Sequence, residues 1–326
     1  MKDFARDPAL PHDHRRGHRH RRRDGNFYAV RHPGIKLEAL TTTFGNTDTA
    51  IATENTLRVL ELLKRPDIPV AKGVGRSLIH PYVRRADHVH GANGIGDIEL
   101  PRPKIRETGE HAADLIIRLA KESPGEIVLC PVGPLTNVAL ALVKAPEIAK
   151  LLRKIVIMGS TIFHPGIQGP AAPMVDANFA NDPEAAHIVL QAGANVTLVG
   201  MDVTMTTLLS TAMIDEVARE GDEAAKLLMR MADFYVRSYK TMYPGIQGCG
   251  LHDPLAVAVA EDPSLAKTER MLVDVELNGA LTRGQTVADR RRTAEHHSNA
   301  QVCMSVDRAR FEIDFLAAIK GLKRVQ

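Results

Sequence analysis

Four short apolar runs, separated by stretches with helical periodicity, limit the architectures open to this chain. Residues 37–44, 127–132, 155–158 and 196–199 are rich in β-branched side chains and apolar on both faces. A strand with one wet face alternates polar and apolar positions, whereas strands of a parallel sheet covered on both sides do not. Between the runs, Ile51, Asn55, Val59 and Leu62 recur at helical spacing, and so do Phe311, Phe315, Ile319 and Leu322. Pro183 directly after Asp182 has the form of a first-turn proline behind an Asp cap. The alternation predicts a doubly wound, mostly parallel α/β sheet flanked by helices, forming one domain over residues 27–326.

Residues 1–26 stand apart as a basic, Arg/His-rich segment. Six arginines fall between Arg15 and Arg23, so the net charge of +3 hides a mildly acidic remainder. Such a block would suit nucleic acid or an anionic surface. It lacks the interleaved aromatics on which single-stranded bases stack, so a solvated tail is the expectation and nucleic-acid binding a remote alternative. The N-terminus has no apolar core region of a secretory signal. Asp3, Asp7 and Asp13 and the many histidines do not fit a transit peptide. No apolar run approaches the length that spans a bilayer. Cys130, Cys249 and Cys303 are too scattered for a disulfide framework or a metal pair, which makes a reducing cytoplasm the default location.

Ligands of doubly wound sheets sit beyond the carboxyl ends of the strands. That rule gathers Phe44-Gly45-Asn46, the Pro131 to Asn137 stretch and Met158-Gly159-Ser160 on one rim. Gly133-Pro134-Leu135-Thr136-Asn137 reads as a turn opening a helix, with free backbone groups facing the rim.

Several separated motifs then carry a resemblance. Thr42-Thr43-Phe44-Gly45-Asn46, Val89-His90-Gly91 with Gly94-Ile95-Gly96, Gly133-Pro134-Leu135-Thr136-Asn137, Asn178 followed by Asp182-Pro183-Glu184-Ala185-Ala186, and His252-Asp253-Pro254-Leu255-Ala256 occur in that order. With Gly279 and Leu281-Thr282-Arg283-Gly284, the set resembles the nucleoside hydrolases over essentially everything from Leu37 onward. The resemblance implies a calcium-dependent hydrolase of the N-glycosidic bond of ribonucleosides, assembled as a homodimer or homotetramer. It implies that Asp253 and the Thr136 carbonyl are calcium ligands, and that Asn46 and Asn178 bind ribose hydroxyls. His252 would face the leaving base as acid or orienting donor, and His90 would line the site. Asp176 stands where the family has a Glu two residues before the asparagine, a shorter arm for the acidic ribose contact. The residue types suit the chemistry: a hard cation takes carboxylates and carbonyls, and an anionic site stabilises an oxocarbenium-like transition state. Taken singly, His252-Asp253 reads as a capping pair, Asn46 as a turn residue, Thr136 as a helix start and Asn55 as a satisfied buried amide. The joint order of the motifs reverses those readings.

One part of the pattern is missing. Nucleoside hydrolases begin with a strand running into Asp-x-Asp-x-Gly-x-Asp-Asp-Ala, and residues 1–36 hold nothing like it. A run of arginines and histidines is not buried at the centre of a sheet without partners. Reading the codons of Pro11 to Asn26 one nucleotide later admits Met-Ile-Ile-Asp-x-Asp-Ile-Gly-Ile-Asp-Asp-Ala-Met-Ala-Ile over residues 12–26, rejoining near Phe27. The missing motif therefore lies in the alternative frame. Either the sequence carries a frame error, or the gene is shifted and the product is a catalytically inactive relative. The first strand would then be absent, the edge of 37–44 unpaired, and the arm before Phe27 poorly packed.

Overall fold

A computed structural model describes residues 21–81, 95, 98–163, 175–291 and 297–321. In chain order the first half contains α1 (Arg21–Arg31), β1 (Leu40–Thr42), α2 (Thr49–Leu62), β2 (Val70–Lys72), α3 (Ala112–Glu122), β3 (Val128–Leu129), α4 (Thr136–Lys144), α5 (Ile148–Leu151), β4 (Lys154–Met158), α6 (Ala177–Asn181), α7 (Pro183–Gln191) and β5 (Val196–Val199). The second half contains α8 (Met201–Thr204), β6 (Leu208–Ser210), α9 (Thr211–Glu220), α10 (Glu223–Met242), β7 (Gly248–Gly250), α11 (His252–Glu261), β8 (Ala266–Val275), β9 (Thr286–Asp289), β10 (Ala300–Val306) and α12 (Arg308–Lys320). All four apolar runs thus contain strands, and both helical periodicities mark helices, α2 and α12. Leu322 lies outside the described residues.

The main sheet has the order β3-β4-β5-β10-β8-β9. β3, β4, β5 and β10 are parallel, while β8 is antiparallel to both β10 and β9. This mixed end was not legible as strand in the sequence. Lys267, Thr268, Glu269 and Arg270 of β8 are all exposed, as an antiparallel edge region with a wet face permits.

The pleat explains why the central runs are apolar throughout. Ile155, Ile157 and Leu198 enter a core with α3, α4 and α7. Val156, Met158 and Val199 enter the opposite core with α10, α11, α12 and Phe27 and Tyr28 of α1. Successive side chains point to opposite faces, and both faces are dry.

The described structure begins inside the basic segment, and its last residues before Phe27 are helical and packed. α1 runs across the boundary, and Asp24 and Gly25 are buried in it. The cause is the anchoring of the helix further on. Tyr28 is fully buried, stacks on Phe315 with ring centroids 6.0 Å apart, and donates its hydroxyl proton to Asp314. His32 Nε2 lies 3.0 Å from the same carboxylate, and Arg31 donates to the Ile319 carbonyl at 2.7 Å. With those residues fixed, the preceding turn is drawn onto α11. A Cβ added at Gly25 would stand 2.8 Å from Asp253 Cβ, so the two helices meet at this glycine.

Candidate active site

The carboxyl ends of β3 and β4 are tied together by one amide. Asn178 Nδ2 donates to the Met158 carbonyl at 2.9 Å and to the Val132 carbonyl at 3.3 Å. Its amide protons are thereby used, and its Oδ1 is the group it can offer a hydroxyl. Asp176 is the N-cap of α6, with Oδ1 accepting from the Asn178 and Phe179 N–H groups at 3.0 Å each. That oxygen is therefore committed to the helix end, which the longer arm of a Glu would reach past. Gly159 sits where a Cβ would stand 2.5 Å from the Phe179 ring and 3.1 Å from Asp176 Oδ1. Ser160 follows with φ +84, a left-handed conformation that side chains other than glycine adopt at a cost.

Thr136 opens α4 and donates its hydroxyl proton to Asp182 Oδ2 at 2.5 Å. The same oxygen accepts from Leu78 N at 3.0 Å, while Oδ1 caps α7 through Ala185 N at 3.2 Å. Asp182, expected only as a cap, is thus a clamp joining α7, the start of α4 and the loop after β2. Burial pushes its carboxyl above the usual range, against the pull of those donors. For a raised carboxyl, stability is fully present below the unfolded pKa and is lost as pH rises through the folded value. Asp182→Ala removes the cap and leaves the Thr136 hydroxyl and Leu78 N–H without this acceptor. Urea denaturation at neutral pH should show a loss of about 2–4 kcal/mol; a loss below 1 kcal/mol would rule out the clamp.

His252 and Asp253 lie in the first turn of α11, both fully buried. The N-cap is Leu251, with no side-chain cap bond, so the capping-pair reading fails. His252 Nδ1 is 2.6 Å from Thr204 Oγ1, and Nε2 is 2.7 Å from the Tyr239 hydroxyl. Tyr235 donates to Tyr239 at 3.1 Å. Which ring nitrogen carries the proton depends on these two hydroxyls, each of which can donate or accept. The imidazole is held at both nitrogens in a buried hydroxyl chain able to pass a proton. Asp253 faces Gly25 and acts on the Cys130 thiol, whose pKa rises to about 12 through burial first and the Asp253 charge second.

Asn46 is buried in the bend after β1, beside Gly45. His90 lies outside the described residues. Sequence reasoning missed Thr204, Tyr235 and Tyr239. The two tyrosines stand four apart on one face of α10, the only local signal they gave; their distance in sequence from His252 concealed the rest.

Calcium takes about six to eight oxygen ligands. Among the described residues there is no group of three or more His, Cys, Asp or Glu that could hold a metal. Asp253 with one carbonyl falls short of that donor set, so the described residues do not fit the ion.

A doubly wound sheet with Asn and Asp side chains at its strand ends defines an α/β protein whose ligand rim lies at those ends. Comparison with known proteins narrows this. A family model described as inosine-uridine preferring nucleoside hydrolase matches residues 26–312. The chain is 37% identical over 301 residues to an inosine-uridine preferring nucleoside hydrolase of Leishmania major, covering 92% of this chain and 93% of that protein. It is 35% identical to uridine nucleosidase 1 of Arabidopsis thaliana, covering 90% and 86%. Among solved structures, a purine-preferring ribonucleoside hydrolase from Gardnerella vaginalis superposes with a TM-score of 0.85 at 38% identity, covering 91% of this chain and 94% of that one. The chain belongs to the inosine-uridine preferring nucleoside hydrolase family.

Proposed function

We propose that this chain carries the site of a ribonucleoside hydrolase, releasing ribose and free base, and that as written it is catalytically silent because residues 12–26 lack the family's aspartates. The observation that carries the first half is the fully buried His252, held between Thr204 and Tyr239. A histidine so fixed suits proton delivery to a departing base, a contribution of about 10²–10⁴-fold in rate. The names of the relatives, which include inosine-uridine, uridine and purine-preferring enzymes, support the substrate class. In this reading Asn46, Asp176 and Asn178 address the ribose, and His90 lines the site. Asp253 and the Thr136 carbonyl contribute to a calcium cage that the alternative-frame aspartates would complete. Bound calcium would supply a water of lowered pKa. A cytoplasmic homodimer or homotetramer is the expected setting. No helix among the described residues is long and apolar enough to cross a membrane.

The test uses the full chain with residues 12–26 replaced by the alternative-frame product. It should release base from ribonucleosides and act on 2′-deoxyribonucleosides slower by about 10²-fold or more, because a missing hydroxyl leaves buried polar partners unmatched. Equal rates on both sugars would overturn the ribose-directed reading.

A further inference from the structure

The chain leaves β4 across the rim under two constraints. Asn178 holds the Met158 carbonyl from one side. On the other side the pairing of β4 with β5 runs on past both strands. Gly159 N donates to the Val199 carbonyl at 3.3 Å, and Met201 N to the Ser160 carbonyl at 2.9 Å. Asp202 continues the contact. Its Oδ2 accepts from Ile162 N at 2.9 Å and its Oδ1 from Phe163 N at 2.8 Å. Each oxygen of a carboxylate only 9% exposed thus takes one backbone donor from the loop. Hydrogen bonds to an ionised acceptor are the stronger kind, and a pair of them fixes both the place and the direction of the segment.

The segment needs such a holder. Ser160 sits at φ +84, and Ser160 Oγ and Thr161 Oγ1 are buried without a hydrogen-bond partner. A conformation of that kind persists only where the surroundings impose it. The start of α8 lies close against it: a Cβ at Gly200 would stand 2.8 Å from Ser160 Oγ and 3.0 Å from Asp202 Oδ2.

The helix that carries Asp202 also carries Thr204. α8 is a single turn packed on β5, β10 and α11. Asp202 and Thr204 are two residues apart, and at about 100° per residue they point to nearly opposite sides of that turn. One side meets the loop after β4. The other meets α11, where Thr204 Oγ1 lies 2.6 Å from His252 Nδ1. The imidazole has little room to follow a moving partner. Tyr239 holds Nε2 at 2.7 Å, and a Cβ at Gly250 would stand 2.3 Å from the same nitrogen. A small rotation of α8 about its axis therefore registers at His252 as a changed Thr204 hydrogen bond.

We propose that Asp202 is a positioning residue for His252. By clasping the backbone at Ile162 and Phe163 it sets the rotation of α8 and, through Thr204, the hydrogen bond on the imidazole. The loop beyond β4 and the histidine then form one unit, so that whatever displaces the loop is felt at the ring. The bearing of this on catalysis rests on the proton-donor reading of His252, but the coupling itself is read without catalysis.

The experiment uses the full chain as written, with isotope-labelled histidine. NMR of the His252 ring nitrogens at a single pH is combined with amide hydrogen exchange at Ile162 and Phe163. Asp202→Asn keeps the side-chain shape but turns one acceptor into a donor. It should quicken exchange at both amides by about tenfold and move the His252 Nδ1 signal in the direction that Thr204→Val moves it. Thr204→Ser keeps the hydroxyl and should leave the signal at its parent position, a rescue that a merely structural role would not predict. Coupling is reciprocal, so Thr204→Val should in turn quicken exchange at Ile162 and Phe163, with Leu115 in α3 unchanged throughout. If Asp202→Asn does not fold, this reciprocal measurement decides. An unmoved His252 signal in folded Asp202→Asn, or unchanged exchange at the two amides in Thr204→Val, would overturn the proposal and leave Asp202 a clasp of the loop alone. In the full chain with residues 12–26 replaced, Asp202→Asn should lower kcat by about 10–10²-fold and alter KM less. A moved ring signal with kcat unchanged would support the coupling and count against the proton-donor reading of His252 alone.

Discussion

Base release from inosine or uridine by the chain as written should stay at background, and replacing residues 12–26 with the alternative-frame product should raise it by about a thousandfold or more, since a metal-activated water and its base together lower the barrier by several kcal/mol. The reason is the donor count. Asp253 is fully buried at the start of α11, and the described residues offer no carboxylate group of three to join it. The alternative frame would place two aspartates shortly before α1, at positions 15 and 17, and two in its first turn, at positions 21 and 22, one turn from where α1 meets Asp253. Calorimetry should find one calcium per subunit in the replaced chain and no tight binding in the original. Near-normal turnover by protein verified by mass to contain the Arg/His block would sink this prediction. So would a replaced chain that folds, takes up calcium and still does not act.

In the replaced chain, two neighbouring substitutions should separate the metal from proton delivery. Asp253→Ala should abolish calcium binding and catalysis together. His252→Ala should lower kcat by about 10²–10⁴-fold on substrates whose base leaves as a protonated species, with calcium affinity unchanged. Tyr239→Phe should follow His252→Ala in direction, because it removes the hydroxyl at Nε2. Its effect on kcat should exceed its effect on KM, since proton delivery belongs to the transition state. Comparable calcium affinities and rates in Asp253→Ala and the parent would leave the metal assignment without support. A loss of calcium in His252→Ala would show that the two residues act as one structural unit instead.

The sequence by itself determined the architecture and most of the rim. Runs such as 155–158 are apolar at every position because both faces of the strand are dry, and a buried parallel strand is written no other way. Asp182-Pro183 fixed a helix start locally, since a cap and a first-turn proline act over three or four residues. The rim rule placed Asn46 just after a strand, and the turn reading placed Thr136 at a helix start, where they are found. Only the tertiary structure decided what these side chains bind. Asp182 clamps Thr136 from 46 positions away. His252 meets Thr204 across 48 positions and Tyr239 across 13, pairings set by the packing of α8, α10 and α11 and by nothing periodic in the chain. The capping reading of His252-Asp253 fell for the same reason. Local preference favours Asp at an N-cap, but the register of α11 puts Leu251 there and turns both polar side chains inward. The antiparallel end of the sheet was equally hidden, because strand direction depends on how the chain returns through residues 276–285 and on no property of β8 itself. The extent of α1 was decided by distant anchors too. Tyr28, Arg31 and His32 reach α12 and the loop after it, and they carry the preceding turn onto Asp253 whatever its own sequence prefers.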